Sequence, residues 1–354
     1  MTARRRFLRL GLLLAALALA VAAYLFQLLE HPASPRNPSE VTLFFPFGTS
    51  TSEIFRRLAS EGVIRSAWFA EAYYRVARSA TPLQAGEYRF RRPTPLSQVI
   101  DRMNRGDVVR HAIVVPEGLT AEETFELFWS RGISRPQAFR NAFTNPQLVA
   151  SIARGAPDLE GFLFPDTYEV TRSTSARRIV EAMLANFRRH VTPEIRERAR
   201  ESGQTLREAV TLASIVQRET SLGSEAAIIA GVYRNRLRRG MRLQADPTVE
   251  YALKADGKWS GTLYRSDYGY ESPYNTYLHE GLPPGPIGNP GLPAIRAAAA
   301  PAKTDFLYFV ADREGGHTFS RTFEEHRDAI AAGRRSREDS PPPGPATPAH
   351  ASGT

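Results

Sequence analysis

The chain has 354 residues, 42% of them hydrophobic, enough for two or three folding units with real cores. Its 46 basic and 37 acidic side chains leave a net charge of +9. The arginines are scattered and no nucleic-acid-binding signature accompanies them, so nucleic acid is not expected, and a polyanionic surface such as membrane lipid or cell wall is the partner class that fits. Cysteine is absent, which excludes a disulfide framework and any thiolate metal site.

Leu10 to Leu29 is a twenty-residue stretch without a charge, behind Arg4, Arg5, Arg6 and Arg9. That length and flank predict a single transmembrane helix at 10–29, with the basic segment 1–9 in the cytoplasm and everything after Glu30 outside it. A cleaved signal peptide is the rival, because Ala16, Ala18 and Ala20 resemble cleavage-site residues, but the apolar run continues through Val21, Tyr24, Leu25 and Phe26. Residues 30–40, rich in Pro and Ser, read as a linker.

Residues 41–114 read as a small α+β unit. A strand over Val41–Phe45 leads to a helix over Thr51–Ser60 stopped by Gly62. A second helix capped by Ser66 runs through Ala77, a strand follows over Glu87–Phe90, and a helix over Leu96–Arg105 ends at Gly106. Gly48, Glu53, Phe55 and Gly62 recur seventy residues later as Gly118, Glu123, Phe125 and Gly132, with a strand before each copy. Duplication and generic strand–turn–helix construction both account for the echo.

Helices dominate from Ser134. Ser134 with Pro136, and Asn145 with Pro146, open the first two, and Ser175–Ser202 holds one long helix or two split at Pro193. Between them EGFLFPDTYEV, residues 160–170, is an aromatic loop-to-strand segment in which Asp166 and Tyr168 are candidate site residues. Ala226–Arg239 is a further helix. Residues 241–291 have the composition of a binding cleft: LQADPTVEY and SPYNTY, read as loops, contribute Gln244, Asp246, Thr248, Ser272, Tyr274 and Asn275, a mixture suited to sugars. GLPPGPIGNPG, residues 281–291, reads as a rigid surface loop. A helix to Ala300, a strand over Asp305–Ala311, a helix over Thr322–Ala332 and a disordered tail from 336 complete the chain.

The stretch with most chemistry in it is TLREAVTLASIVQRET, residues 205–220. Leu212, Ile215 and Val216 precede Glu219 at helical spacings, so all four share one face. Thr205 and Glu208 form a capping box that places Glu219 in the last turn. Apolar neighbours and an electronegative helix end both favour the protonated carboxyl, as a general acid requires. The competing reading is a glutamate that reaches solvent or pairs with Arg218. His279, His317 and His326 are too irregularly spaced to suggest a metal site, HTFS reads as a strand with His317 at its start, and no cofactor is expected.

LASIVQRET, EGFLFPDTYEV, VYRNRLRRGMRLQADPTVEY, SPYNTYLHEGLPPGPIGNPG and FLYFVADREGGHTFSRTFEEH, in this order behind a basic, apolar N-terminus, resemble the endolytic murein transglycosylase (MltG/YceG-like) family over residues 41–335. The resemblance implies an α+β chain with a LysM-like peptidoglycan-binding subdomain at 41–114 and a larger, mostly helical catalytic domain at 115–335. It implies cleavage of the β-1,4 bond between N-acetylmuramic acid and N-acetylglucosamine with a 1,6-anhydro end, and Glu219 as catalytic acid. The partners implied are peptidoglycan strands, the inner membrane and peptidoglycan synthases. Where the family commonly has an acidic or amide residue and Lys, this chain has Gln217 and Arg218. A water-using muramidase, with Asp246 or Asp267 as second carboxylate, and a non-catalytic wall-binding scaffold are the alternatives.

Overall fold

The computed structural model describes residues 2–30, 39–77, 82–153, 155–220 and 222–338. The chain is mixed α+β, mostly helical with short strands, and divides into two compact units. The smaller comprises residues 1–113, 127–138 and 167–179, and the larger residues 114–126, 139–166 and 180–354.

The small unit begins with helix α1, Thr2–Glu30. Large apolar side chains along it, Leu12, Leu14, Leu17, Leu19 and Phe26 among them, are exposed. Among the described residues no helix is long and apolar enough to cross a membrane; a crossing takes ~20 apolar residues, and side chains of α1 are described only over 11–27. The linker expected at 30–40 lies outside the described residues from 31 to 38. Strand β1, Glu40–Phe45, pairs antiparallel with β2, Gly86–Arg91, Val41 facing Phe90 and Leu43 facing Tyr88. Helices α2, Thr51–Ser60, and α3, Ala67–Ala77, connect them. Phe45, Phe55, Tyr88 and Phe90 are fully enclosed and pack with Ile54, Leu58, Val99 and Met103, the last two from helix α4, Leu96–Arg105.

The seventy-residue echo is visible as local structure. Strand β3, His111–Val114, and helix α5, Ala121–Trp129, repeat the order of β1 and α2, and Gly48 and Gly118 turn at φ 88° and 82°. Ser50 Oγ accepts from the Glu53 amide at 3.2 Å and Thr120 Oγ1 from the Glu123 amide at the same distance. Strand β4, Thr167–Val170, pairs with β3.

The larger unit is helical. Helix α6, Pro136–Phe143, crosses into it and α7, Pro146–Ala150, follows. Pro193 separates α8, Ala176–His190, from α9, Pro193–Glu201, because its ring fits only the first turn of a new helix. Helix α10, Leu206–Glu219, is its axis: Ala209 to Val216 are all buried. Around it pack α11, Ala226–Arg238, α12, Asp246–Ala255, and α13, Leu292–Ala299, while β5, Tyr308–Ala311, pairs antiparallel with β6, His317–Ser320. Helix α14, Phe323–Glu338, extends beyond the expected end at Ala332 and takes in 336–338 of the expected tail, the rest of which lies outside the described residues.

Two expectations are corrected. LQADPTVEY is not a loop throughout: α12 begins at Asp246 with Pro247 in its first turn, a position that proline favours. GLPPGPIGNPG is not a surface loop, since 285–291 are buried. It is a strap whose polar groups are satisfied inside. Ile287 N donates to Ser214 Oγ at 3.0 Å, Asn289 Oδ1 accepts from Leu163 N at 2.9 Å, Asn289 Nδ2 donates to Leu119 O at 2.9 Å, and Gly291 N donates to Gln217 Oε1 at 3.0 Å. Glycine is required at Gly288, where φ is 158° and a Cβ would lie 2.7 Å from the backbone oxygen of Gly118. The strap thus fixes α10 to the EGFLF segment, which carries the axis helix's last turn into a defined place.

Candidate active site

The capping box forms as expected. Thr205 Oγ1 accepts from Glu208 N at 3.2 Å and Glu208 Oε2 accepts from Thr205 N at 2.7 Å. Fourteen residues later the helix ends on Glu219. Arg218 points elsewhere: it pairs with Glu250 at 2.5 Å, and Glu250 is shared with Lys254 at 2.8 Å. The competing reading of a Glu219–Arg218 pair therefore does not describe this chain.

Glu219 is half-buried and lines a pocket of about 450 Å³ with Tyr233, Arg236, Gln244, Asp246, Tyr277 and His317. Tyr233, fully buried on α11, donates its hydroxyl to Glu219 Oε1 at 2.6 Å, and its ring meets Phe309 edge-on at 5.6 Å. Burial lifts the Glu219 carboxyl from the ordinary 4.5 to about 7; the Asp246 charge adds to the rise, while the Tyr233 hydrogen bond, His317 and Arg236 oppose it. Burial and the Glu219 charge hold the Tyr233 phenol well above its usual range, so it stays a donor.

The walls are held by charged groups on backbone and carboxylate partners. Arg236 donates Nε to Leu307 O at 2.7 Å and Nη1 to Leu243 O at 2.6 Å, tying the residue before β5 and the turn before α12 to α11. Glu225 grips His317 at the ring Nδ1, 2.6 Å, and at the backbone N–H, 3.0 Å. Gln244 takes φ 50°, a left-handed conformation that a non-glycine side chain rarely adopts, and its amide is anchored on Thr276 O at 3.1 Å. Asp246, exposed at the first turn of α12, accepts from the hydroxyl of Tyr277 and from that of Tyr268 at 3.4 Å.

Of the residues expected at the site, Glu219, Gln244 and Asp246 come together. The others do not line this pocket. Thr248 is fully buried, with its hydroxyl engaged by Ala245 O at 2.7 Å and Thr276 Oγ1 at 2.9 Å. Asn275 is equally buried and ties Tyr268 O, Tyr270 O and Tyr277 N together, so it shapes the loop that presents Tyr277. Ser272 Oγ accepts from Tyr274 N at 3.3 Å, and the Tyr274 ring lies 4.8 Å from Tyr251. Asp166 accepts from Asn186 Nδ2 at 3.0 Å, and Tyr168 is buried in β4. Asp267 serves its own turn, accepting from Tyr264 N at 2.8 Å. Tyr233, Arg236, Tyr277 and His317 also line the pocket and carry little signal in the sequence beyond Tyr233 and Arg236 lying three apart on a helix between apolar positions.

The profile of the YceG-like family matches residues 44–332. An endolytic murein transglycosylase of Bacillus subtilis is 31% identical over 86% of this chain and 87% of its own length. One from Streptococcus pneumoniae serotype 2 is 28% identical over 85% of this chain and 59% of its own length. A crystal structure of a YceG-like protein from Listeria monocytogenes superposes with a TM-score of 0.55 at 30% identity, covering 82% of this chain and 98% of that one. The chain, matched from residue 44 in the smaller unit to residue 332 in the larger, belongs to the YceG-like family.

Proposed function

We propose that this chain cleaves the β-1,4 bond between N-acetylmuramic acid and N-acetylglucosamine in murein strands, with Glu219 as its single acid–base catalyst. The observation that carries this reading is a carboxyl raised to about 7, with one oxygen fixed by Tyr233, in a pocket of about 450 Å³ that Gln244 and Asp246 also line. The similarity to murein transglycosylases supplies the substrate class. With Oε1 accepting from Tyr233, Oε2 carries the proton and delivers it to the glycosidic oxygen as that bond breaks. The 6-hydroxyl of the muramic acid attacks its own anomeric carbon and returns its proton to the ionised Glu219, closing a 1,6-anhydro ring. An intramolecular nucleophile works at high effective concentration, so no second carboxylate is required.

Asp246 in the same pocket favours one further reading, a muramidase in which Asp246 activates water. Mass analysis of products from uncrosslinked strands separates the two. Anhydro ends, retained by Asp246→Asn, are the expected result; reducing ends, lost in Asp246→Asn, would establish hydrolysis instead.

The exposed apolar side chains of α1 behind Arg4, Arg5, Arg6 and Arg9 support a single-pass inner-membrane anchor with the bulk of the chain outside the cytoplasm. The β1–α2–α3–β2 order supports a LysM-like wall-binding role for the small unit. A chain starting at residue 39 should leave the membrane fraction yet still bind isolated sacculi. Persistence with membranes contradicts the anchor, and loss of sacculus binding contradicts the wall-binding role.

A further inference from the structure

A concentration of positive charge lies at the opposite end of α10 from Glu219. A cavity of about 710 Å³ is lined by Arg207, Arg234, Arg238, Gln204 and Glu208, and an adjoining one of about 460 Å³ by Arg196, Arg200 and Gln204. The guanidinium groups are positioned by carbonyls. Arg207 donates to Gly155 O at 3.1 Å and to Pro284 O, Arg234 to Ser202 O at 2.6 Å, and Arg196 to Val191 O at 3.1 Å. A carbonyl fixes the geometry of an arginine without neutralising it. Among the described residues Arg200 alone of the five forms a salt bridge, with Glu197 at 2.5 Å, while the Arg207 charge also acts on Asp158. The carboxylate in the larger cavity, Glu208, is engaged in capping α10 through Thr205 N at 2.7 Å and Thr205 Oγ1 at 2.9 Å. Burial and the Arg238 charge together lower Arg234, and burial with Arg188 and Arg200 lowers Arg196, so like charges face one another.

Gln204 lies between the two cavities, and its Oε1 is buried with no hydrogen-bond partner among the described residues. The missing complement therefore contains anionic oxygens for the arginines and an N–H donor for Gln204. A carboxylate-bearing peptide has both; a phosphodiester headgroup has only the first. The geometry points to a site here for the acidic peptide that murein sugars carry, engaging Arg207, Arg234 and Arg238 through carboxylates and Gln204 through an amide N–H. The inference rests on the murein reading above. With the fourteen residues of α10 between them, site and pocket are ~20 Å apart at 1.5 Å per residue, so the peptide bound would belong to a sugar away from the cut bond.

The test measures binding of the full chain carrying Glu219→Gln, which spares the strands, to uncrosslinked glycan with its peptides and to glycan stripped of them by an amidase. Peptide-bearing strands should bind roughly tenfold more tightly, as one or two partly solvated charge-assisted hydrogen bonds provide, and the difference should shrink with salt. Arg238→Glu, at an exposed residue whose change leaves the fold intact, should cut that preference severalfold, and Arg234→Gln added to it should erase it, with thermal melts checking the fold. Equal binding of both strands, or an undiminished preference in Arg238→Glu, overturns the site. So does loss of binding to phosphatidylglycerol vesicles with strand preference unchanged, which reassigns the arginines to lipid phosphate. Failure of the unsubstituted chain to cut peptide-bearing strands counts against the murein reading alone.

Discussion

Glu219→Gln is expected to lower strand cleavage by ~10²–10⁴-fold or more, because general acid–base catalysis supplies about that much and both proton transfers are assigned to this one side chain. The amide keeps the size of the carboxyl and can still accept from Tyr233, so the pocket should keep its shape and much of its affinity for glycan. Stability should rise where Glu219 is forced to ionise. Its folded value near 7 against an ordinary 4.5 means that, above neutrality, the ionised carboxyl costs the fold roughly 3 kcal/mol at most. Thermal melting at pH 8 checks this: a variant less stable than the parent would show that Glu219 is in place for structure.

The second large effect concerns Glu160, buried at 5% exposure beneath α5. It accepts from Ala121 N at 3.0 Å and from Asn289 Nδ2 at 3.4 Å, joining the α5 entry to the buried strap. Burial raises its carboxyl to about 8, with the Asp158 and Glu123 charges adding and the Ala121 amide opposing. Between the ordinary 4.5 and about 8 the folded chain holds a proton that the unfolded chain has lost, so stability is greatest below the window and falls as pH rises through it. The fall amounts to up to roughly 5 kcal/mol. Glu160→Gln, which mimics the protonated form, should flatten the dependence and stabilise the chain at pH 8. Melting temperatures of parent and variant between pH 5 and pH 9 test it; parallel curves would remove Glu160 from the titration.

What could be read from the sequence was whatever local chemistry decides. The Thr205–Glu208 capping box and the spacing of Leu212, Ile215 and Val216 fix α10 and the position of Glu219 without help from the rest of the chain. Glycines at 48, 62, 118 and 132 were legible for the same reason, since each turn needs a positive φ. What escaped depends on partners far away in sequence. Asp246 begins a helix with no side-chain cap, so α12 gave no start signal beyond Pro247. The strap's Gly and Pro residues have no apolar pattern, and its burial comes from Ser214, Leu163 and Leu119. Thr248 and Asn275 look like sugar ligands by residue type, yet neighbouring backbone carbonyls take up their hydrogen bonds. Tyr233 and Arg236 face inward because β5 and Leu243 provide a wall and carbonyls there.

The most direct test of the central claim is the pH dependence of kcat/KM for uncrosslinked strands, run on the parent and on Glu219→Gln together, since this ratio reports the titration of the free enzyme's acid. The parental rate should fall as pH rises through about 7, where Glu219 loses its proton, and the residual rate of the variant should show no such limb. A Glu219→Gln chain that releases anhydro-ended fragments at near the parental rate, with the falling limb intact, would contradict it.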